Sequence, residues 1–218
     1  MLLLTDLLSP VVMDMIEGPE TPSKRRLIAA GEKLFGERGL NGVSLQDIAL
    51  AAGNANKYAV QYHFGNKAGL IKAILTLRLR WIDRRRQGLL EEARRRNLLS
   101  NPSALIETLY LPVAEQVDEN GRHSFARFRL QYYLRIDHNR LVDADIDPDR
   151  APAEAALGFL LNALTLDPVE VEERLRLQRF VLLAGLIDRD NRMGNGQDPS
   201  CIEALVARAV AITAAALT

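Results

Sequence analysis

Between Asn54 and Tyr62 the chain reads Asn-Ala-Asn-Lys-Tyr-Ala-Val-Gln-Tyr. Asn, Gln and Lys carry the donors and acceptors that pair with base edges in a DNA major groove. Asn56, Lys57, Tyr58 and Gln61 supply such a polar face, and Ala59 and Val60 can turn inward. The chemistry offered is recognition by hydrogen bonding, not bond making. The sequence contains no glycine-rich phosphate loop, no HExxH and no GxSxG. His63, His123 and His138 are far apart, and the single cysteine, Cys201, has no ligand spacing. An enzyme is therefore not expected, and neither a cofactor nor a metal is called for. Cys201 reads as a small buried hydrophobe on the last helix.

A base-reading face has to be held by a second helix across a tight turn. Ser44 with Asp47 three residues on is a capping-box arrangement that starts one, with Val43 and Ile48 at the staple positions. This helix runs to about Ala52. Ala49 lets the helices approach closely, and Gly53 tolerates the positive φ of the turn. The reading helix then spans about Asn56 to Tyr62, ending before Phe64-Gly65-Asn66. Ahead of the pair, Thr21-Pro22 starts a helix with Leu27, Ile28, Gly31, Leu34 and Phe35 on one face, stopped at Gly39. After it, Asn66 caps a long helix from Lys67 through Trp81 into the arginine runs ending at Arg96.

The formal net charge of the 218 residues is zero, yet the field is polarised. Residues 22–96 hold 16 Lys and Arg against 6 Asp and Glu, and both flanks are acidic. A basic third on an acidic remainder fits a DNA-binding unit carried by a different one, against a plain solvated Arg-rich helix. With one cysteine no intrachain disulfide forms, and the expected compartment is cytoplasmic. Residues 1–20 carry no basic n-region, and their apolar stretch, Met1 to Ile16, is interrupted by Asp6, Pro10 and Asp14 and is too short to span a membrane, so no membrane partner is expected. They read as a loosely held extension that contributes little to the fold.

LIAAGEKLFGERGLNGVSLQDIALAAG followed by AVQYHFGNKAGLIKAIL resembles the DNA-binding domain of the tetracycline-repressor (TetR/AcrR) family. The likeness covers residues 24–75. It implies an all-α protein with a three-helix helix-turn-helix domain at 21–80 and a helical regulatory and dimerisation domain at 81–218. It implies a sequence-specific transcription regulator, most simply a repressor, bound to double-stranded DNA and released by a small-molecule effector. Ser44 and Gln46 would then contact phosphate. Asn56, Lys57, Tyr58 and Gln61 would face the groove. Tyr62 and His63 would touch phosphate or sugar, and Lys67 would anchor another phosphate. Gly53 to Tyr62 is longer than the commonest family pattern by about one position, so the register of the base readers stays open by that amount. Phe64 and Tyr62 have a second reading as packing for the three-helix core, and His63 as a plain surface residue.

Beyond Asn101-Pro102 the periodicity gives helices over about 103–119, 124–139 and 151–164. Asp167-Pro168 starts a fourth, with Glu170 closing its capping box, and Asp198-Pro199 a fifth. Asp143 to Asp149 reads as a loop. Val171, Leu175, Val181 and Leu182 on the fourth, and Ile202, Leu205, Val206 and Ala209 on the fifth, either form a homodimer interface or close the chain's own core. Tyr110, Phe125, Phe128, Tyr132, Tyr133 and Phe159 either line an effector pocket or are ordinary core. Arg127, Arg129 and Arg135 lie among them, able to meet an anionic ligand or nearby acids such as Asp137. Two other classes remain to be separated: an enzyme with an appended DNA-binding unit, and a helical interaction protein that binds no DNA.

Overall fold

The computed structural model describes residues 3–4, 11–12, 20–135 and 151–218. Among them the fold is all-α: α1 (Pro22–Arg38), α2 (Leu45–Ala51), α3 (Ala59–Phe64), α4 (Lys67–Arg95), α5 (Pro102–Ala114), α6 (Ser124–Arg135), α7 (Ala151–Ala163), α8 (Pro168–Gly194) and α9 (Ile202–Ala216). Two dipeptides, β1 (Val11–Val12) and β2 (Gln116–Val117), pair in parallel. Local chemistry starts the helices. Thr21 accepts from the Lys24 N–H, Asn101 from Ala104 and Asp167 from Val169, each just before a proline at the first helical position.

The described chain forms two compact units. One comprises residues 11–12, 20–81 and 116–135. Its core holds Leu27, Ile28 and Phe35 of α1, Ile48 of α2, Val60 of α3, and Leu70 and Ile74 of α4, all fully buried. Helix α6 lies against α1, and the contact is close. A Cβ added at Gly36 would stand 2.9 Å from Arg127 Cβ and 3.1 Å from the Phe128 amide nitrogen. The expected DNA-binding segment, 21–80, thus shares its unit with β2 and α6.

The other unit comprises residues 3–4, 82–115 and 151–218. Helix α5 packs on α7 and α9, and α9 on α8. Pro112 sits inside α5, where it cannot give the helical hydrogen bond to the Thr108 carbonyl. Arg86 Nε supplies that carbonyl instead, at 3.2 Å. The Tyr110 hydroxyl meets Thr213 Oγ1 at 2.8 Å inside the same unit.

Several expectations need correcting. Helix α3 begins at Ala59, not Asn56, because Asn54 and Asn56 fold the preceding residues into turns. Helix α5 stops at Ala114, where β2 takes over. Helix α9 begins at Ile202 rather than just after Pro199. Cys201 is its exposed N-cap and not a buried hydrophobe, since it precedes the amphipathic run. Glu170 joins Arg174 Nε at 2.7 Å, one turn along α8. The extension is held at described points: Leu4 is fully buried, and Val11–Val12 form β1. Residues 136–139 of the helix expected over 124–139, with Asp137 and His138, lie outside the described residues. So do the Asp143–Asp149 loop and the Arg135 side chain.

Candidate nucleic-acid interface

Helix α2 is short, and its ends are fixed by hydrogen bonds made within the segment. Ser44 Oγ accepts from the Asp47 N–H at 3.1 Å, and Asp47 Oδ2 accepts from the Ser44 N–H at 2.9 Å and from its hydroxyl at 2.7 Å. These bonds hold the Asp47 carboxyl below its ordinary range: the Ser44 hydroxyl contributes most, then the Ser44 N–H, and the Arg38 charge adds to them. At the other end Gly53 takes φ +66°. Its N–H bonds the Leu50 carbonyl and the Asn54 N–H bonds the Ala49 carbonyl, both at 2.9 Å. That pair is the Schellman stop, and it requires a residue free to adopt positive φ.

The chain then winds through two Asn-stabilised turns. Asn54 Oδ1 accepts from the Asn56 N–H, and Asn56 Oδ1 accepts from the Tyr58 N–H, each at 3.0 Å. Asn56 and Lys57 therefore precede α3, and Tyr58 is its N-cap residue. Ala59 and Val60 are buried, as their apolar character requires. Gln61 is exposed on the other side. Tyr58 is 56% exposed and Tyr62 83% exposed. The Lys57 ammonium lies 5.1 Å from the Tyr58 ring centre. The Tyr62 and His63 rings meet edge to face at 5.0 Å. The exposure of Tyr62 rules out its alternative reading as core packing, whereas Phe64 lies beneath the Lys24 ammonium, 5.5 Å from it.

These positions bring together an exposed strip of Lys57, Tyr58, Gln61 and Tyr62, with His63 at its edge. Three expected residues are already engaged within the fold. The Ser44 hydroxyl donates to Asp47, and the Asn56 side chain holds a turn. Lys67 Nζ donates to the Leu40 carbonyl at 2.9 Å, tying the start of α4 to the loop after α1. Gln46 is exposed on the first turn of α2. Sequence reasoning missed Leu50, which is 79% exposed on α2. The signal was available: two residues beyond buried Ile48 on a helix points away from the core.

The aromatic set divides between the two units. Phe125, Phe128, Tyr132 and Tyr133 form a ladder along α6 with ring spacings of 6.0–6.2 Å, joined to Phe35 at 6.3 Å. The Arg129 guanidinium lies 5.6 Å from the Phe125 ring and 4.9 Å from that of Tyr133. Tyr110 and Phe159 belong to the other unit. Of the residues expected at a dimer interface, Val171, Leu175, Leu182, Val206 and Ala209 are buried within the chain itself. Val181 is exposed, and Ile202 and Leu205 are half-exposed. With Gly185 and exposed Ile212, Val181 and Leu205 line a groove between α8 and α9.

Residues 27–74 match the family described as bacterial regulatory proteins, tetR family. No curated protein matches the chain. In fold it is similar to the TetR-family transcriptional regulator PfmR of Thermus thermophilus, with a TM-score of 0.54 and 23% identity over 91% of this chain and 97% of that one. It is also similar to a protein assigned to the TetR family from Mesorhizobium loti, with a TM-score of 0.50 and 20% identity over 91% of this chain and 98% of that one. No helix among the described residues is long and apolar enough to cross a membrane.

Proposed function

We propose that this chain, whose residues 27–74 match the tetR family of bacterial regulatory proteins, is a sequence-specific DNA-binding transcription regulator. The observation that carries this reading is the exposure of Tyr58 and Tyr62 on either side of buried Ala59 and Val60. Large aromatics left in solvent on an otherwise packed element mark a surface that meets a partner. Their neighbours Lys57 and Gln61 can donate to phosphate and to base edges. Because α3 begins only at Ala59, base reading falls to Lys57, Tyr58 and Gln61, with Tyr62 and His63 against the backbone. Gln46 and the amides at the start of α2 face phosphate.

The regulator acts as a homodimer. A second copy covers the α8–α9 groove through Val181, Leu205 and Ile212, and the residues buried between those helices support this face from beneath. Two-fold symmetry then calls for a roughly palindromic operator with half-sites about 34 Å apart. A small-molecule effector lowers operator affinity by favouring a dimer whose reading helices are wrongly spaced. Helix α4, with residues in both compact units, is the covalent link for this coupling. Repression is the simpler mode of action.

Fluorescence anisotropy tests the reading. The labelled duplex comes from just upstream of the protein's own gene, at two salt concentrations, with random duplex as competitor. Binding that survives the competitor, weakens with salt and is lost in Tyr58→Ala supports a sequence-specific regulator. Failure to select any sequence from a randomised operator library would overturn it.

A further inference from the structure

We infer that α5 carries a binding site for small peptide-like aliphatic amides, floored by the Glu107 carboxylate and filled here by the chain's own Leu3–Leu4. Glu107 is 1% exposed and stands among the core residues Leu105, Ile106 and Leu111. A carboxylate there is costly unless donors reach it. Burial pushes its pKa up, and the Leu3 and Leu4 N–H groups pull it back. The Leu3 N–H donates to Oε1 and the Leu4 N–H to Oε2, both at 2.7 Å. Two successive main-chain amides thus converge on one carboxylate, one on each oxygen. The Leu4 side chain is fully buried beside it. Arg96 Nη1 donates to the Leu3 carbonyl at 3.0 Å.

The donors come from a segment more than a hundred residues away in sequence, not from the helices around Glu107. They are therefore of a kind that a free molecule can replace. The contacts specify it: two N–H groups spaced as in successive amides, a carbonyl for Arg96, and a leucine-sized aliphatic group. A short apolar peptide or an equivalent amide meets all three requirements. The tethered segment acts as a built-in competitor. A regulatory role for such a ligand rests on the function proposed above; its binding does not, and the assay reads binding without DNA.

The test uses the full chain and N-acetyl-leucyl-leucinamide, with amide exchange at Leu3 and Leu4 followed by NMR and affinity by calorimetry. The dipeptide is expected to bind saturably and to accelerate exchange at those two amides selectively. Glu107→Gln should lose the dipeptide and expose both amides without it, the change being about tenfold or more. Leu4→Gly keeps both N–H groups but removes the aliphatic plug, so it should bind the dipeptide about tenfold more tightly. This second variant keeps the test decisive if Glu107→Gln does not fold. Unchanged exchange at saturating dipeptide, equal binding by Glu107→Gln, or unchanged affinity in Leu4→Gly would each overturn the proposal.

Discussion

Arg78 on α4 grips Glu32 on α1 with two parallel hydrogen bonds, Nε to Oε2 at 2.8 Å and Nη2 to Oε1 at 2.7 Å, both side chains shut away from solvent. The remaining donors and acceptors find partners nearby. Arg78 Nη1 reaches Gln116 Oε1 at 3.0 Å, and Ser124 Oγ donates to Glu32 Oε1 at 2.6 Å. Four separate stretches of chain are joined by one satisfied polar cluster. Breaking such a pair strands the other charge in the core, which costs more than the pair itself contributes. Arg78→Met is expected to destabilise the protein by about 3–5 kcal/mol. Adding Glu32→Gln should recover part of that loss. Urea unfolding of both single variants and the double gives the coupling; simple additivity would refute it.

Gly36 should not tolerate a side chain. Its missing Cβ lets α1 approach the backbone of α6, and the atoms in the way are main chain or a Cβ. Gly36→Ala raises helix propensity, yet it should lower stability by about 1–3 kcal/mol through overpacking. A rise in Tm would show that α6 gives way freely.

The α2 cap links stability to pH. Ser44→Ala should cost about 1 kcal/mol, the usual loss for an N-cap. The Asp47 carboxyl has its pKa lowered in the folded state, so its stabilising effect is complete above the unfolded value of 3.8 and is lost as pH falls through the folded one. Asp47→Asn should therefore be less stable than the parent at neutral pH and equal to it in strong acid. Chemical denaturation at the two extremes reads the difference, and a gap that persists in acid would contradict it.

Two lysines that look alike in sequence should behave differently. Lys57 is exposed, so Lys57→Ala should leave stability within about 0.5 kcal/mol. As a base reader, it should also lower operator affinity and relax selectivity at the base pair it contacts. Lys67 donates to the Leu40 carbonyl, so Lys67→Met should lower Tm as well as affinity. Thermal melts beside anisotropy titrations at several salt concentrations separate the two.

The exposed face of α8 and α9 should govern assembly. Val181→Glu combined with Ile212→Asp puts charge on two exposed apolar positions of the groove without touching the buried core. Sedimentation should then report a monomer, and operator affinity should fall while Tm at high dilution is unchanged. A dimer that survives both changes would place the interface elsewhere.

The starts of α1, α2 and α8 were legible because a cap is local. Thr21, Ser44 and Asp167 each bond an N–H two or three residues away, and a proline beside two of them removes the alternatives. The inward turn of Ala59 and Val60 and the left-handed turn at Gly53 followed for the same reason. The start of α3 was misplaced because Asn54 and Asn56 compete for the backbone with their own side chains, and helical periodicity does not register that competition.

The sequence by itself determined the helical character, the inward turn of Ala59 and Val60 beside polar neighbours, and the polarity of charge. Those depend on residues within a turn of one another. Only the tertiary structure decided that Glu32 meets Arg78, that Arg86 satisfies the carbonyl freed by Pro112, and that Glu107 holds Leu3–Leu4. Such partners lie from 22 to 104 positions apart. No local signal selects them, because a buried polar group takes whichever donor the packing brings within reach.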